Sequence, residues 1–270
     1  MRAEFNLTFI GGGNMARSLI GGLISSGFSA AQIHVADPYE PTRDALRKDF
    51  GVNVYASSSE AAAQGDTWIL AVKPQVADSV CVELQEVALK KPFVISILAG
   101  TPISRLTNAL NVDTAIVRAM PNTPALVGKG ATGLFANAAT TPELRQRAEA
   151  LLNAVGIVEW VERESLIDSV TAVSGSGPAY VFLLAEAMID AGTKQGLPPD
   201  VARNLAIQTL VGASEMLASS GLDATTLRRN VTSPNGTTQA AIESFEANGF
   251  REIVQQALNA ARDRGEELSR

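Results

Sequence analysis

Gly11, Gly12 and Gly13 stand directly after a strand pattern, Asn6–Ile10, and just before a helical pattern, Ala16–Ser26. In the spacing Gly11-x-Gly13-x-x-Ala16, the first glycine permits a tight turn and the second lets a pyrophosphate approach the backbone. Ala16 permits close helix-on-sheet packing, and the helix opened by Asn14 and Met15 would present free N–H groups to an anion. Asp37 follows Ala16 by 21 residues, at the end of a second strand pattern, close to the ~20 at which a carboxylate meets a ribose hydroxyl. Together these residues predict a dinucleotide site for NADPH or NADH. A carboxylate accepts a hydrogen bond from a ribose 2′-OH but repels a 2′-phosphate. At ~4 Å each unit of repulsion is about 1 kcal/mol in water and about 4 kcal/mol at an effective dielectric of 20. Read alone, Asp37 therefore leans towards NADH. Arg43 compensates if its side chain folds back, and Pro38 is placed to turn the carboxylate away.

Ligands of open α/β sheets bind at the carboxyl ends of the strands. The loops expected there are Ala71-Val72-Lys73-Pro74, Ala99-Gly100 and Met120-Pro121-Asn122-Thr123-Pro124. Lys73 reads either as a functional cation or as a solvated strand-end lysine, and Asn122, between two prolines, as a hydrogen-bond partner for nicotinamide or substrate.

A second set of residues lies far along the chain. Val231-Thr232-Ser233-Pro234-Asn235-Gly236-Thr237-Thr238 is rich in turn and cap formers and runs into an amphipathic helix, with Thr237 or Thr238 the natural N-cap. Such a loop suits a carboxylate: each charge-assisted hydrogen bond is worth about 1.5–3 kcal/mol and the helix dipole ~0.3–1 kcal/mol. It reads equally well as a capped helix connection. Ser174-Gly175-Ser176-Gly177-Pro178 interrupts a long helical pattern, where glycines cost about 1 kcal/mol each; close packing or approach of a nicotinamide would explain them. The one histidine, His34, falls inside a strand pattern, so proton transfer must rely on something other than an ordinary histidine base. The one cysteine, Cys81, reads as a buried hydrophobe and excludes a disulfide framework or a thiol-rich metal site; no metal is expected.

These residues need elements to hold them. Strand patterns at Asn6–Ile10, Gln32–Ala36, Asn53–Tyr55, Trp68–Val72, Phe93–Ile97 and Thr114–Arg118 alternate with helical stretches, and Gly133–Ala136 and Gly156–Val161 flank a further helix. Such alternation predicts a doubly wound parallel sheet, a Rossmann-type α/β domain over residues 1–162. Residues 163–270 read as all helix: Leu166–Gly192, Pro199–Ser219, Asp223–Asn230, Thr238–Asn248 and Phe250–Leu268. The first is apolar on most faces and too large a surface for a small bundle to enclose, so a second subunit is expected to cover it and the helical half to be a dimerisation domain. The 270 residues are 46% hydrophobic with a net charge of −6, which excludes a dedicated nucleic-acid binder. Met1–Phe9 has no signal-peptide layout, and the longest unbroken apolar run, Ala179–Ala185, is about seven residues against the ~20 of a membrane span. A cytoplasmic protein without membrane partners is expected.

The segments taken together resemble the pyrroline-5-carboxylate reductases. The resemblance runs through Phe9–Met15, Ala71–Gln75, Arg118–Pro124, Ile167–Tyr180 and Val231–Thr238, in order over nearly the whole chain. It implies a reductase that passes a hydride from NADPH or NADH to the C=N bond of Δ1-pyrroline-5-carboxylate, giving L-proline in the last step of proline biosynthesis. It further implies that Ser233, Gly236, Thr237 and Thr238 hold the substrate carboxylate, that Thr238 lies beside the ring nitrogen, and that Glu164 and Asn230 face the active-site region. The assembly implied is a dimer or a ring of five dimers. In two places the chain departs from the pattern. An asparagine that often contacts the cofactor before the third helix is Ser58 here, and most members prefer NADPH, which fits poorly with Asp37. A β-hydroxyacid dehydrogenase would carry a lysine on the helix after the glycine-rich turn, and Pro178–Ala191 has none. A nucleotide-sensing dimer would have no need of the Val231–Thr238 loop.

Overall fold

The computed structural model describes residues 5–269. Eight strands, β1 Leu7–Ile10, β2 Ile33–Ala36, β3 Asn53–Tyr55, β4 Thr67–Leu70, β5 Phe93–Ser96, β6 Ile116–Met120, β7 Gly130–Ala136 and β8 Gly156–Trp160, form one sheet in the order β3-β2-β1-β4-β5-β6-β7-β8. Strands β1, β2, β4 and β5 are buried along their full length, as expected where helices cover both faces. Alternate side chains supply two cores. Leu7, Phe9, Val35, Ile69 and Ile95 pack under α1 (Asn14–Ser25), α2 (Glu40–Phe50) and α6 (Pro142–Leu152). Ile10, Trp68, Leu70, Val94 and Ile116 pack with α3 (Ser58–Ala62), α4 (Ala77–Ala88) and α5 (Ile103–Leu110). Each fully buried large apolar side chain contributes about 1.5–3 kcal/mol. Cys81 lies in the second core, where burial pushes its thiol up to about 11.

β7 departs from the all-parallel expectation: it runs antiparallel to β6, with Met120 opposite Gly133. The connection Pro121–Lys129, a 3₁₀ turn at Thr123–Val127, is too short for the crossover that a parallel pair needs. β8 returns parallel to β7 after α6.

His34 lies buried in β2 with Nδ1 3.0 Å from the Tyr55 hydroxyl, and burial holds its pKa below the ordinary histidine value. The unfolded chain then binds the proton better, so this contribution to stability is present above pH ~6.5 and lost as pH falls through the folded-state value. Urea midpoints at pH 5 and pH 7.5 should therefore differ more for wild type than for His34→Gln; an identical pH response in the two proteins would refute it.

One compact unit runs to Ser176 and takes back the chain from Ala261 on; Gly177–Ala260 form a second. The sheet ends at Trp160, near the expected boundary at 162/163, but the first unit continues through α7 (Leu166–Val170) and a π-helical turn at Thr171–Gly175. There the Ser176 N–H reaches back to the Thr171 carbonyl at 2.8 Å. A Cβ on Gly175 would come 2.8 Å from Met120 Cε, so packing explains that glycine, whereas Gly177 has nothing nearby. The second unit holds α8 (Gly177–Lys194), α9 (Pro199–Ser219), α10 (Ala224–Asn230), α11 (Thr237–Ala247) and the first part of α12 (Phe250–Leu268). α8 and α9 pack closely, a Cβ at Gly192 falling 3.4 Å from Ala202. Yet Phe182, Leu183, Leu205 and Val211 are all more than half exposed. The continuous helix Leu166–Lys194 is long and apolar enough, by length and composition, to cross a membrane. Single polar residues interrupt this helix, so its apolar character exceeds that of its longest unbroken run, Ala179–Ala185.

Candidate active site

The crevice of the first unit opens where the sheet order reverses, between β1 and β4. Gly11 adopts φ +105°, and a Cβ there would sit 2.6 Å from the Ala71 carbonyl oxygen. Its N–H donates to the Ala36 carbonyl at 2.8 Å, so the turn is clasped between the ends of β2 and β4. Gly13 is the N-cap of α1, with no side chain capping the helix and nothing within 4 Å of where its Cβ would stand. The first-turn N–H groups of Asn14 and Met15 thus face open space next to a backbone with no side chain. That is the shape a pyrophosphate needs, and the residues present fit a dinucleotide.

Asp37 is already engaged. Its Oδ2 accepts from the Gly12 N–H at 3.0 Å and its Oδ1 from the Tyr39 N–H at 2.9 Å. The carboxylate therefore braces the glycine turn as well as standing where a ribose would bind. Arg43 does fold back, donating through Nη1 to the carbonyls of Asp37 (2.8 Å) and Pro38 (2.9 Å). Ala71, Val72, Lys73 and Pro74 follow β4, with Lys73 exposed, and Ala99 lies exposed after β5. Ser58 opens α3 after β3, with its N–H donating 3.0 Å to Glu83 Oε1. Asn122 differs from expectation: it is buried, its Nδ2 donating to the Ser174 carbonyl (3.0 Å) and its Oδ1 accepting from the Ala131 N–H (2.9 Å). Its carboxamide ties the β6–β7 turn to the π turn.

Glu164 is also committed. Its Oε1 accepts from the Ile103 N–H at 2.7 Å, capping α5, and from Arg118 Nη1 at 3.2 Å. Arg118, 3% exposed, also approaches Asp168 Oδ1 at 3.5 Å, and Ser269 Oγ lies 3.5 Å from its Nη2. Burial first, then the charges of Glu266 and Glu164, raise the Asp168 pKa against the pull of Arg118 and Ser269. The role of Arg118 was open to detection from sequence, because a lone guanidinium inside Ile116–Met120 must find partners when its strand is buried.

In the second unit the Ser233–Thr238 loop leads into α11. The N-cap is Gly236, not Thr237 or Thr238, and no side chain caps the first turn. Asn235 takes φ +59°, which brings the Gly236 N–H 3.0 Å from the Ser233 carbonyl. Gln239 folds back to accept the Asn235 N–H at 2.7 Å. The Thr237 and Thr238 N–H groups open the helix beside two hydroxyls, with Ser233 exposed and Asn230, the last residue of α10, also exposed. The first unit thus gathers Gly11, Gly13, Asn14, Met15, Asp37, Ser58, Ala71–Pro74 and Ala99 at the carboxyl ends of its strands. Asn230, Ser233, Gly236, Thr237 and Thr238 are grouped in the second.

Fold and site define a nicotinamide-dinucleotide oxidoreductase with a helical second unit. Residues 6–100 match the family described as NADP oxidoreductase, coenzyme F420-dependent, and residues 164–268 match pyrroline-5-carboxylate reductase dimerisation. A pyrroline-5-carboxylate reductase of Pseudomonas aeruginosa is 50% identical over 97% of this chain and 96% of its own. The structure of one from Coxiella burnetii superposes with a TM-score of 0.95 at 40% identity, covering 99% of this chain and 100% of the other. A Plasmodium falciparum pyrroline carboxylate reductase solved with NADP bound gives 0.87 at 31% identity, covering both chains completely. The chain belongs to the pyrroline-5-carboxylate reductase family. The dimerisation match covers the helices whose apolar faces stand exposed, and a second copy of the chain accounts for them.

Proposed function

We propose that the chain reduces Δ1-pyrroline-5-carboxylate to L-proline with NADPH or NADH. The observation that carries the reading is full-length membership of the family together with an uncapped helix start at Thr237 in a loop suited to a carboxylate. When bound, the reduced nicotinamide supplies the hydride. Gly11 and Gly13 shape the turn that admits the pyrophosphate, and the α1 N-terminus neutralises part of its charge. Ser233, Gly236, Thr237 and Thr238 receive the substrate carboxylate, and the Thr238 hydroxyl orients the ring nitrogen. A cyclic imine arriving already protonated needs position more than a strong acid, and alignment of bound reactants is worth ~7–11 kcal/mol. That agrees with a single histidine placed against Tyr55 in β2. The assembly consistent with this reading is a homodimer, extended to five dimers in a ring, in the cytoplasm.

Absorbance at the nicotinamide band tests the reading: the cofactor should be consumed with pyrroline-5-carboxylate and not with hydroxy or keto acids. Thr238→Ala should lower kcat/KM for the imine about 10- to 100-fold, the worth of one hydrogen bond to a charged group. If kcat and KM both stay within twofold, Thr238 has no such role; if no cyclic imino acid is consumed, the reductase reading falls.

A further inference from the structure

The first unit matches an NADP oxidoreductase family, yet Asp37 sets a carboxylate against the extra phosphate that separates NADPH from NADH. The relevant groups lie at the carboxyl ends of β2 and β3, which pair with Ala36 opposite Tyr55, and the Asp37 N–H donates to the Tyr55 carbonyl at 3.1 Å. The chain after Tyr55 is therefore the wall next to Asp37, and Asp37 stands where the adenosine ribose of a doubly wound fold is bound. Into that wall α4 sends Glu83. Its Oε1 accepts from the Ser58 N–H at 3.0 Å, the Ser59 N–H at 3.3 Å and the Ser57 hydroxyl at 3.3 Å. The carboxylate is thus held in one place on an exposed surface. Fixed carboxylates thus stand beyond the ends of two paired strands, Asp37 after β2 and Glu83 at the Ser57–Ser59 turn after β3, while Arg43 turns its Nη1 to main-chain carbonyls.

We propose that Glu83 is a specificity-determining residue that disfavours the 2′-phosphate of NADPH through its charge, acting beside Asp37. The 2′-hydroxyl of NADH carries no charge and is indifferent to it. This rests on the dinucleotide reading of the crevice given above. Because Glu83 is exposed, its effect is screened by salt, with a Debye length of about 10 Å at 0.1 M.

Glu83→Gln separates charge from structure, because the amide oxygen can still accept the Ser58 and Ser59 N–H groups. Glu83→Asp is its complement: the charge stays while the shorter side chain gives up the reach of those bonds. In the full-length protein, calorimetric titration with NADP⁺ and NAD⁺ should show Glu83→Gln tightening NADP⁺ about 3- to 10-fold, with NAD⁺ changed less than twofold. The gain should shrink in 0.5 M salt, as expected of a screened charge. Glu83→Asp should keep the wild-type discrimination, and kcat/KM for NADPH against NADH with the imine should move in parallel. An NADP⁺ affinity unchanged within twofold in Glu83→Gln would overturn the assignment. So would equal tightening of both nucleotides, or Glu83→Asp behaving as Glu83→Gln. Wild type that binds both nucleotides but reduces no imine would sink the reductase reading and leave the binding comparison still decisive for Glu83.

Discussion

Arg118→Met is expected to cost the folded protein about 3 kcal/mol at neutral pH, the lower end of the range for removing one partner of a buried ion pair. Glu164 keeps the value from going higher, since its side chain is 27% exposed and solvent shares its charge. Asp168 is different: its side chain is 8% exposed and loses its only cationic neighbour within 4 Å among the described residues. Its carboxyl is already raised by burial and by Glu266 and Glu164, with Arg118 the chief opposing influence. Without the guanidinium its pKa rises further. A carboxyl whose folded-state pKa exceeds the unfolded one weakens the fold above that value, and the penalty fades as pH falls through it. The deficit of Arg118→Met relative to wild type should therefore be larger at pH 7.5 than at pH 5 in urea unfolding. A loss below about 1 kcal/mol, or one that ignores pH, would show that the network contributes little. The Nε of Arg118 is buried without an acceptor, so the cluster is not optimised for stability alone. It joins β6, the start of α5, α7 and the returning C-terminal segment at Ser269.

The sequence already announced the elements that repeat a simple period. Pro199–Ser219 and Phe250–Leu268 are found with the bounds their patterns gave, because proline starts the one and a glycine precedes the other. The β-α alternation similarly led to the sheet, since buried parallel strands are unbroken apolar runs flanked by helices. What local pattern could not carry was anything decided by a distant partner. Asn122 sits between prolines in the manner of a ligand-binding residue, yet Ser174 and Ala131 hold both ends of its amide. Glu164 is drawn to Ile103 and Arg118, which lie 61 and 46 residues earlier in the chain. Glu83 is one acid among several on an ordinary amphipathic helix until β3 brings Ser58 beneath it. The turn at Pro121–Lys129 held the usual residues, but its shortness, which forces β7 antiparallel, mattered more than the glycines read as strand starts.

Gly11 and Gly13, two residues apart in one fingerprint, should separate folding from cofactor binding when each is replaced by alanine. At Gly11 the backbone has φ +105° and the new Cβ would meet the Ala71 carbonyl at 2.6 Å, a main-chain atom that cannot swing away. Strain of that kind costs about 1–3 kcal/mol, and forced overpacking about as much again. Gly11→Ala should thus unfold several degrees lower or fail to accumulate. At Gly13 the backbone has φ −68°, which alanine adopts freely, and the Cβ would project into open space. Gly13→Ala should be as stable as wild type, or up to about 1 kcal/mol more so, because alanine reduces the freedom of the unfolded chain. That open space is where the pyrophosphate must come to reach the Asn14 and Met15 N–H groups. Pushing it out by a methyl weakens two charge-assisted bonds of about 1.5–3 kcal/mol each, so NADPH and NADH affinity should fall 100-fold or more. Paired thermal melts and cofactor titrations read the split directly. A Gly13→Ala protein that binds cofactor within threefold of wild type would show that the pyrophosphate does not lie over this turn.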